Sequence, residues 1–184
     1  SRNELESRRP FRMKTTNVRE LALYTLLRIE EEGAYSNIAI DEALQKASLN
    51  DADRRLFTTL VYGTLQYRDT LDYYLEPFVQ HRLDHVVRLL LRLSVYQIVY
   101  LTRIPSHAVV HEAVNISKKR HTKRVSGVVN GILRSFLREP LRSFDEIKDP
   151  IERLAIETSH PVWLVRRWYY QYGLEEATNI ARMN

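Results

Sequence analysis

A chain of 184 residues, 44% of them hydrophobic, is long enough for one domain, or for one domain and a fragment of another. It contains no cysteine, which excludes a disulfide framework, a thiolate metal site and a cysteine nucleophile. Its 5 glycines and 6 prolines suit long helices better than a turn-rich all-β protein. The net charge of +5 is unevenly spread. Residues 117–142 carry eight basic residues against Glu139 alone, a net of +7; residues 1–20 carry +3 and residues 21–116 carry −3. Two basic segments on a mildly acidic body fit a polyanionic partner. No signal peptide or spanning segment is seen, the pattern of a cytoplasmic protein, and Ser1 in place of Met reads as a trimmed start.

Residues 1–14, with Arg2, Arg8, Arg9, Arg12 and Lys14, read as a flexible basic arm. Asn17-Val-Arg-Glu20 has the order of a capping box, and the apolar spacing Val18, Leu21, Ala22, Leu26, Ile29 predicts a helix to about Glu32, stopped by Gly33. Ser36 is the expected cap of a shorter helix over 37–46. Asn50 and Asp51 open another, carrying Phe57, Leu60, Val61 and Leu65. Gly63 inside it costs about 1 kcal/mol relative to alanine and suggests a close approach of a neighbouring helix. The apolar pattern continues through Leu71, Tyr74, Leu75 and Phe78 to Val79, with Pro77 in the last turn.

The stretch from Leu83 to Leu101 is apolar nearly all round, interrupted only by Arg88, Arg92, Ser94 and Gln97, with Asp84 placed to cap it. Such a helix must be enclosed by others, and its two arginines argue against a membrane span. It reads as the hub of a bundle. Ser106 is expected to cap a helix from His107 to about Lys119, with Val110, Ala113, Val114 and Ser117 inward. The next helix, 123–138, carries Val125, Val128, Val129, Ile132, Leu133, Phe136 and Leu137 at i, i+3, i+4, i+7 spacing. Pro140 ends it, and residues 142–149 read as a linker before a short helix over 150–158. A further helix from His160-Pro161 puts Val162, Val165, Trp168, Tyr169 and Tyr172 on one side and stops at Gly173. A last one covers 174–183.

Little here points to catalysis. The Gly127-Val-Val-Asn-Gly131 run follows no strand and lacks the Lys-Ser/Thr of a phosphate loop. His107 and His111 are one turn apart without the intervening glutamate of a zinc-protease helix, so they read as a pair in packing or solvent. No catalytic residue and no metal ligand is assigned. The informative surface is the far side of the 123–138 helix. At 100° per residue Lys123, Arg124, Gly127, Gly131, Arg134 and Arg138 share it, a basic face with bare backbone at its centre. Either a phosphate backbone or another helix could approach those glycines. Lys118, Lys119, Arg120 and His121 extend the patch, and the expected RNA-binding set is Arg9, Arg12 and Lys14 of the arm with Lys118, Lys119, Arg120, Lys123, Arg124, Arg134 and Arg138. The run Trp163 to Tyr172 interleaves aromatic and basic residues that could stack bases, although its periodic subset reads as a core stripe.

Four segments in order carry a resemblance: Leu60-Val-Tyr-Gly-Thr-Leu65, Leu91-Arg-Leu-Ser-Val-Tyr-Gln97, Ile104-Pro-Ser-His-Ala-Val-Val-His-Glu-Ala-Val114 and Val128-Val-Asn-Gly-Ile-Leu-Arg134. They resemble the amino-terminal, NusB-like domain of bacterial small-subunit ribosomal RNA cytosine-5 methyltransferases, the RsmB (Sun, Fmu) family. Ser159-His-Pro-Val-Trp-Leu164 resembles the start of that family's methyltransferase portion. Ser94 departs from the glycine frequent in the family, which bears on packing only. The resemblance implies an all-α NusB-like helical bundle around a central buried helix, followed by a short helical extension. It divides the chain into the arm at 1–14, an RNA-binding bundle at 15–139, a linker at 140–160 and the start of the methyltransferase region at 161–184. This chain is then noncatalytic, needs no cofactor and holds small-subunit ribosomal RNA for the enzyme's own catalytic domain, where S-adenosylmethionine is expected. No membrane and no metal partner is expected. The alternative is a free-standing NusB-like antitermination or protein-interaction module.

Overall fold

A computed structural model describes residues 17–120 and 123–184, and the side chain of Lys123 falls outside that description. Every long element among these residues is a helix, and none of the described residues forms a strand. The first helix, α1 (Val18–Glu32), starts as its sequence dictates: Asn17 Oδ1 accepts the Glu20 N–H at 3.0 Å. It stops at Gly33, which takes the left-handed conformation (φ 65°) that glycine adopts at low cost. The next, α2 (Ser36–Lys46), begins one residue earlier than expected. Tyr35 occupies the cap position without a side-chain bond, and Ser36 is drawn into the first turn. Asn50 caps α3 (Asp51–Gln66), accepting the Asp53 N–H at 2.8 Å.

The apolar pattern that ran on to Val79 is broken in two. Tyr67 leaves helical geometry (φ −101°, ψ 18°), separating α4 (Arg68–Leu75), and Pro77 lies in a 3-10 turn, Glu76–Phe78. The hub is α5 (His85–Tyr100); Asp84 sits at its cap position, but its side chain accepts no hydrogen bond there. Two helices follow, α6 (Ser106–Arg120) and α7 (Lys123–Arg138). Ser106 is the first residue of α6 rather than its cap, because the Pro105 carbonyl takes the Ala108 and Val109 N–H groups. After a 3-10 turn at Phe144–Glu146 come α8 (Pro150–Thr158) and α9 (Val162–Met183). Gly173 interrupts α9 with φ 83° and ψ 171°, so its two halves match the two helices expected there.

The chain divides into two compact units at Tyr62 and Gly63. In the first, α1 packs on α2 around Leu21, Leu26 and Ile40, and Phe57 and Leu60 of α3 are fully enclosed. Arg28 of α1 bridges to Glu42 of α2 at 2.5 Å, and Arg54 of α3 donates to the Leu44 carbonyl at 3.3 Å.

In the second unit α5 packs on α4, α6 and α7, and ten consecutive-turn positions from Val87 to Gln97 are buried. Its buried polar interruptions are satisfied. Ser94 Oγ donates to the Leu90 carbonyl at 2.7 Å and Gln97 Nε2 to the Leu93 carbonyl at 3.0 Å. Arg92, only 4% exposed, forks onto Asp72 of α4 through Nε and Nη2 at 2.6 and 2.9 Å. Gly63 does admit a close neighbour: the ring of Tyr96 lies where its Cβ would be. That ring clusters with Tyr67 and Tyr100, whose rings stack on each other at 4.3 Å, and loss of solvation holds the Tyr96 and Tyr100 phenols above their ordinary pKa. Among the described residues no helix is long and apolar enough to cross a membrane.

The carboxy-terminal extension has a small core of its own, in which Leu154 and Ala155 of α8 meet Val165, Ala177 and Ala181 of α9. The break at Gly173 turns the end of α9 back, and His160 Nε2 lies 2.9 Å from the Ala181 carbonyl oxygen. This module is fastened to α4. Thr70 donates to the Ile156 carbonyl at 2.5 Å, and the Asp69 N–H to Ser159 Oγ at 3.0 Å. Residues 142–149 are held as well. Arg142 stacks 4.0 Å over the Tyr73 ring, donates to the Tyr73 carbonyl at 3.0 Å and pairs with Glu146 at 2.8 Å.

Candidate nucleic-acid interface

One helix, α7, carries four of the ten expected cations: Lys123, Arg124, Arg134 and Arg138. In α7 the buried arc is Ser126, Val129, Leu133 and Phe136, the last set edge-on to Phe78. Opposite it, Arg124, Gly127, Gly131, Arg134 and Arg138 all face solvent, as the helical wheel requires. The apolar stripe is narrower than its spacing suggested. Val128 and Leu137, 40% and 39% exposed, lie at the two edges of the arc, while Ser126 falls inside it. Burial here follows the contacts of α7 with α5 and α6, and these are centred on Val129 and Leu133.

The glycines lie bare. A Cβ at Gly127 or Gly131 would meet nothing within 4 Å, so no helix among the described residues packs on them. Arg134 donates to Asn130 Oδ1 and Arg138 to Ser135 Oγ, each at 3.0 Å. These neutral partners orient the guanidinium groups and leave their charge uncompensated. Arg124 has no hydrogen bond or ion pair among the described residues. Lys118, Lys119 and Arg120 are exposed in the last turn of α6, where the helix dipole favours cations. Arg9, Arg12, Lys14 and His121 lie outside the described residues, as does the Lys123 side chain.

Beside this face runs a groove of about 690 Å³ between α6 and α7. Val110, Val114 and Gly127 supply its apolar surface, and His107, His111, Lys118 and Arg134 the polar one; none of the described residues lining it is acidic. The two histidines are exposed, as a solvent-facing pair would be, but the pairing of α6 with α7 brings them beside Arg134. Periodicity shows which face of α6 they occupy and is silent on which helix lies next to it. Among the described residues no group of three or more His, Asp or Glu side chains is arranged to hold a metal ion.

The aromatic run in α9 splits. Trp168 and Tyr169 pack against the extension's core beside Val165, and His160 meets Trp168 edge-on. Tyr172, expected on the same side, is 57% exposed because it adjoins the break at Gly173.

A helical bundle wound on a buried helix, with a strongly cationic helix on its surface, is the class of protein these observations define. The model of the NusB family matches residues 16–138, and the chain belongs to that family. It is 48% identical over 94% of its length to a Bacillus subtilis protein named "Probable ribosomal RNA small subunit methyltransferase B". A protein of the same name from Synechocystis is 32% identical over 89% of this chain. The chain spans 39% and 37% of those two relatives. The transcription antitermination protein NusB of Bacillus subtilis is 32% identical over 58% of this chain and 82% of its own length. In fold, the chain is similar to a chain of the crystal structure of antitermination factors NusB and NusE in complex with dsRNA. The TM-score is 0.61 at 24% identity, covering 66% of this chain and 93% of that one.

Proposed function

We propose that this chain is a noncatalytic RNA-binding region of a ribosomal RNA cytosine-5 methyltransferase, holding small-subunit RNA for a catalytic domain in the rest of the protein. The observation that carries the RNA reading is the solvent-facing side of α7, where three arginines with no acidic partner surround two uncovered glycines. Bare backbone there lets a phosphate chain come close, and the guanidinium groups meet its charge. The methyltransferase reading rests on the 48% identical relative, whose match covers 94% of this chain and so takes in most of the extension. A free-standing antitermination factor accounts for less of the chain, since the NusB relative matches 58% of it. The bundle is assigned to 15–139, the linker to 140–160 and the beginning of the methyltransferase region to 161–184. The arm cations Arg9, Arg12 and Lys14 join α7 in the proposed surface, and the protein is placed in the cytoplasm.

S-adenosylmethionine would be held elsewhere in the enzyme. The described residues provide no strand and no strand-to-helix glycine turn, and Gly127 and Gly131 lie within a helix. These residues do not fit the nucleoside, so no step of methyl transfer is assigned to them.

The test is an RNA titration of the 184-residue chain at several salt concentrations, using a small-subunit ribosomal RNA hairpin. Affinity is expected to fall linearly with salt on logarithmic axes. Replacing Arg124, Arg134 and Arg138 by alanine should reduce that slope by about two to three. An unchanged slope would remove α7 from the interface, and methyl transfer by this chain alone would refute the noncatalytic assignment.

A further inference from the structure

Outside the residues matched by the NusB family, α9 presents a second surface. Trp163, Arg166, Arg167 and Tyr170 stand at i, i+3, i+4 and i+7, a single helical face. Its aromatic members are 65% and 76% exposed, far from the burial that such large rings ordinarily find. Neither arginine makes a hydrogen bond or ion pair among the described residues. The acidic residues of α9, Glu175 and Glu176, follow the break at Gly173. The opposite face, with Val165, Trp168 and Tyr169, packs the core of the extension, so among the described residues Trp163 lies outside that core and Tyr170 meets only its edge, at Tyr169.

We infer that this face binds single-stranded RNA, with unpaired bases stacking on Trp163 and Tyr170 and Arg166 and Arg167 meeting the adjacent phosphates. The two rings are about 10.5 Å apart along the helix axis. Aromatic rings take unpaired bases whatever their identity, and free guanidinium groups between them complement the charge of the strand. A duplex keeps its bases stacked on each other and offers such rings little. The inference rests on the RNA-binding reading above and assigns a different form of RNA to a different part of the chain.

The chain has 2 tryptophans, so a Trp168→Phe variant leaves Trp163 as the only reporter. Its emission is followed while a single-stranded 12-nucleotide oligoadenylate or a 12-base-pair RNA duplex is added, with anisotropy of labelled RNA measured in parallel. The oligoadenylate should quench Trp163 and the duplex should not. A Trp163→Ala/Tyr170→Ala variant should lose about tenfold in affinity for the single strand and keep its duplex affinity. Its melting curve serves as the folding control. Single-strand binding without quenching, or equal loss for both RNAs, would overturn the inference. So would self-association that the double variant abolishes while quenching is absent, because the face would then be a protein contact. Failure of the α7 arginine variants to affect duplex binding, with quenching intact, would instead remove the α7 reading and leave this one standing.

Discussion

Three glycines continue a helix without breaking it, and they meet different surroundings. At Gly63 a side chain has nowhere to go, because the Tyr96 ring occupies the space and the stacked rings of Tyr67 and Tyr100 pack beside it. Gly63→Ala is expected to lower stability by about 1–3 kcal/mol through overpacking, measured by denaturant unfolding. At Gly127 and Gly131 the space is open, so alanine there should raise stability by about 0.5–1 kcal/mol per site. The same two substitutions should weaken RNA binding if bare backbone is what the RNA meets. A variant that is more stable and binds RNA unchanged would show that the openness has no such use. The sequence places all three glycines in helices. Only the packing separates the one that is needed for fit from the two that are not.

At the scale of elements, hydrophobic spacing located nearly every helix to within a residue or two, and α7 to both ends. What it missed has physical causes. Capping depends on one side-chain rotamer and one backbone angle, which composition does not determine, so Ser36 and Asp84 make no cap bond although both are good cap residues. The break at Tyr67 has no glycine or proline to announce it. Burial within α7 depends on partners, which is why Val128 and Leu137 came out exposed. The basic face of α7 was legible because it needs only one helix. The groove with His107 and His111 was not, because it needs two. The same limit hid the partner of Arg92, which pattern alone showed only as an interruption of an apolar helix. Its bidentate pairing with Asp72 joins α5 to α4, the guanidinium buried and the carboxylate 31% exposed. Asp72→Ala should therefore cost about 1.5–3 kcal/mol, read from the shift in the unfolding midpoint, because a buried guanidinium loses its half-buried carboxylate. A loss below 1 kcal/mol would mean that the pair behaves as a solvated one.

For the molecule as a whole, the fastening of the extension to α4 has a consequence for the order of assembly. The bonds Tyr73–Ser143, Thr70–Ile156 and Asp69–Ser159 join residues separated by 70, 86 and 90 positions in the chain. The Ser94 and Gln97 bonds within α5 close over four residues and its Arg92–Asp72 pair over 20, and its neighbours α6 and α7 follow it directly. Loop closure must precede the reward for distant contacts, so the second unit should form around α5 before the extension docks. In native-state hydrogen exchange, the amides of α8 should open at lower free energy than those of α5. Coincident exchange in the two helices would instead make them a single cooperative unit. If they separate, docking of the extension is a late and reversible step, with its own equilibrium constant beneath the global one.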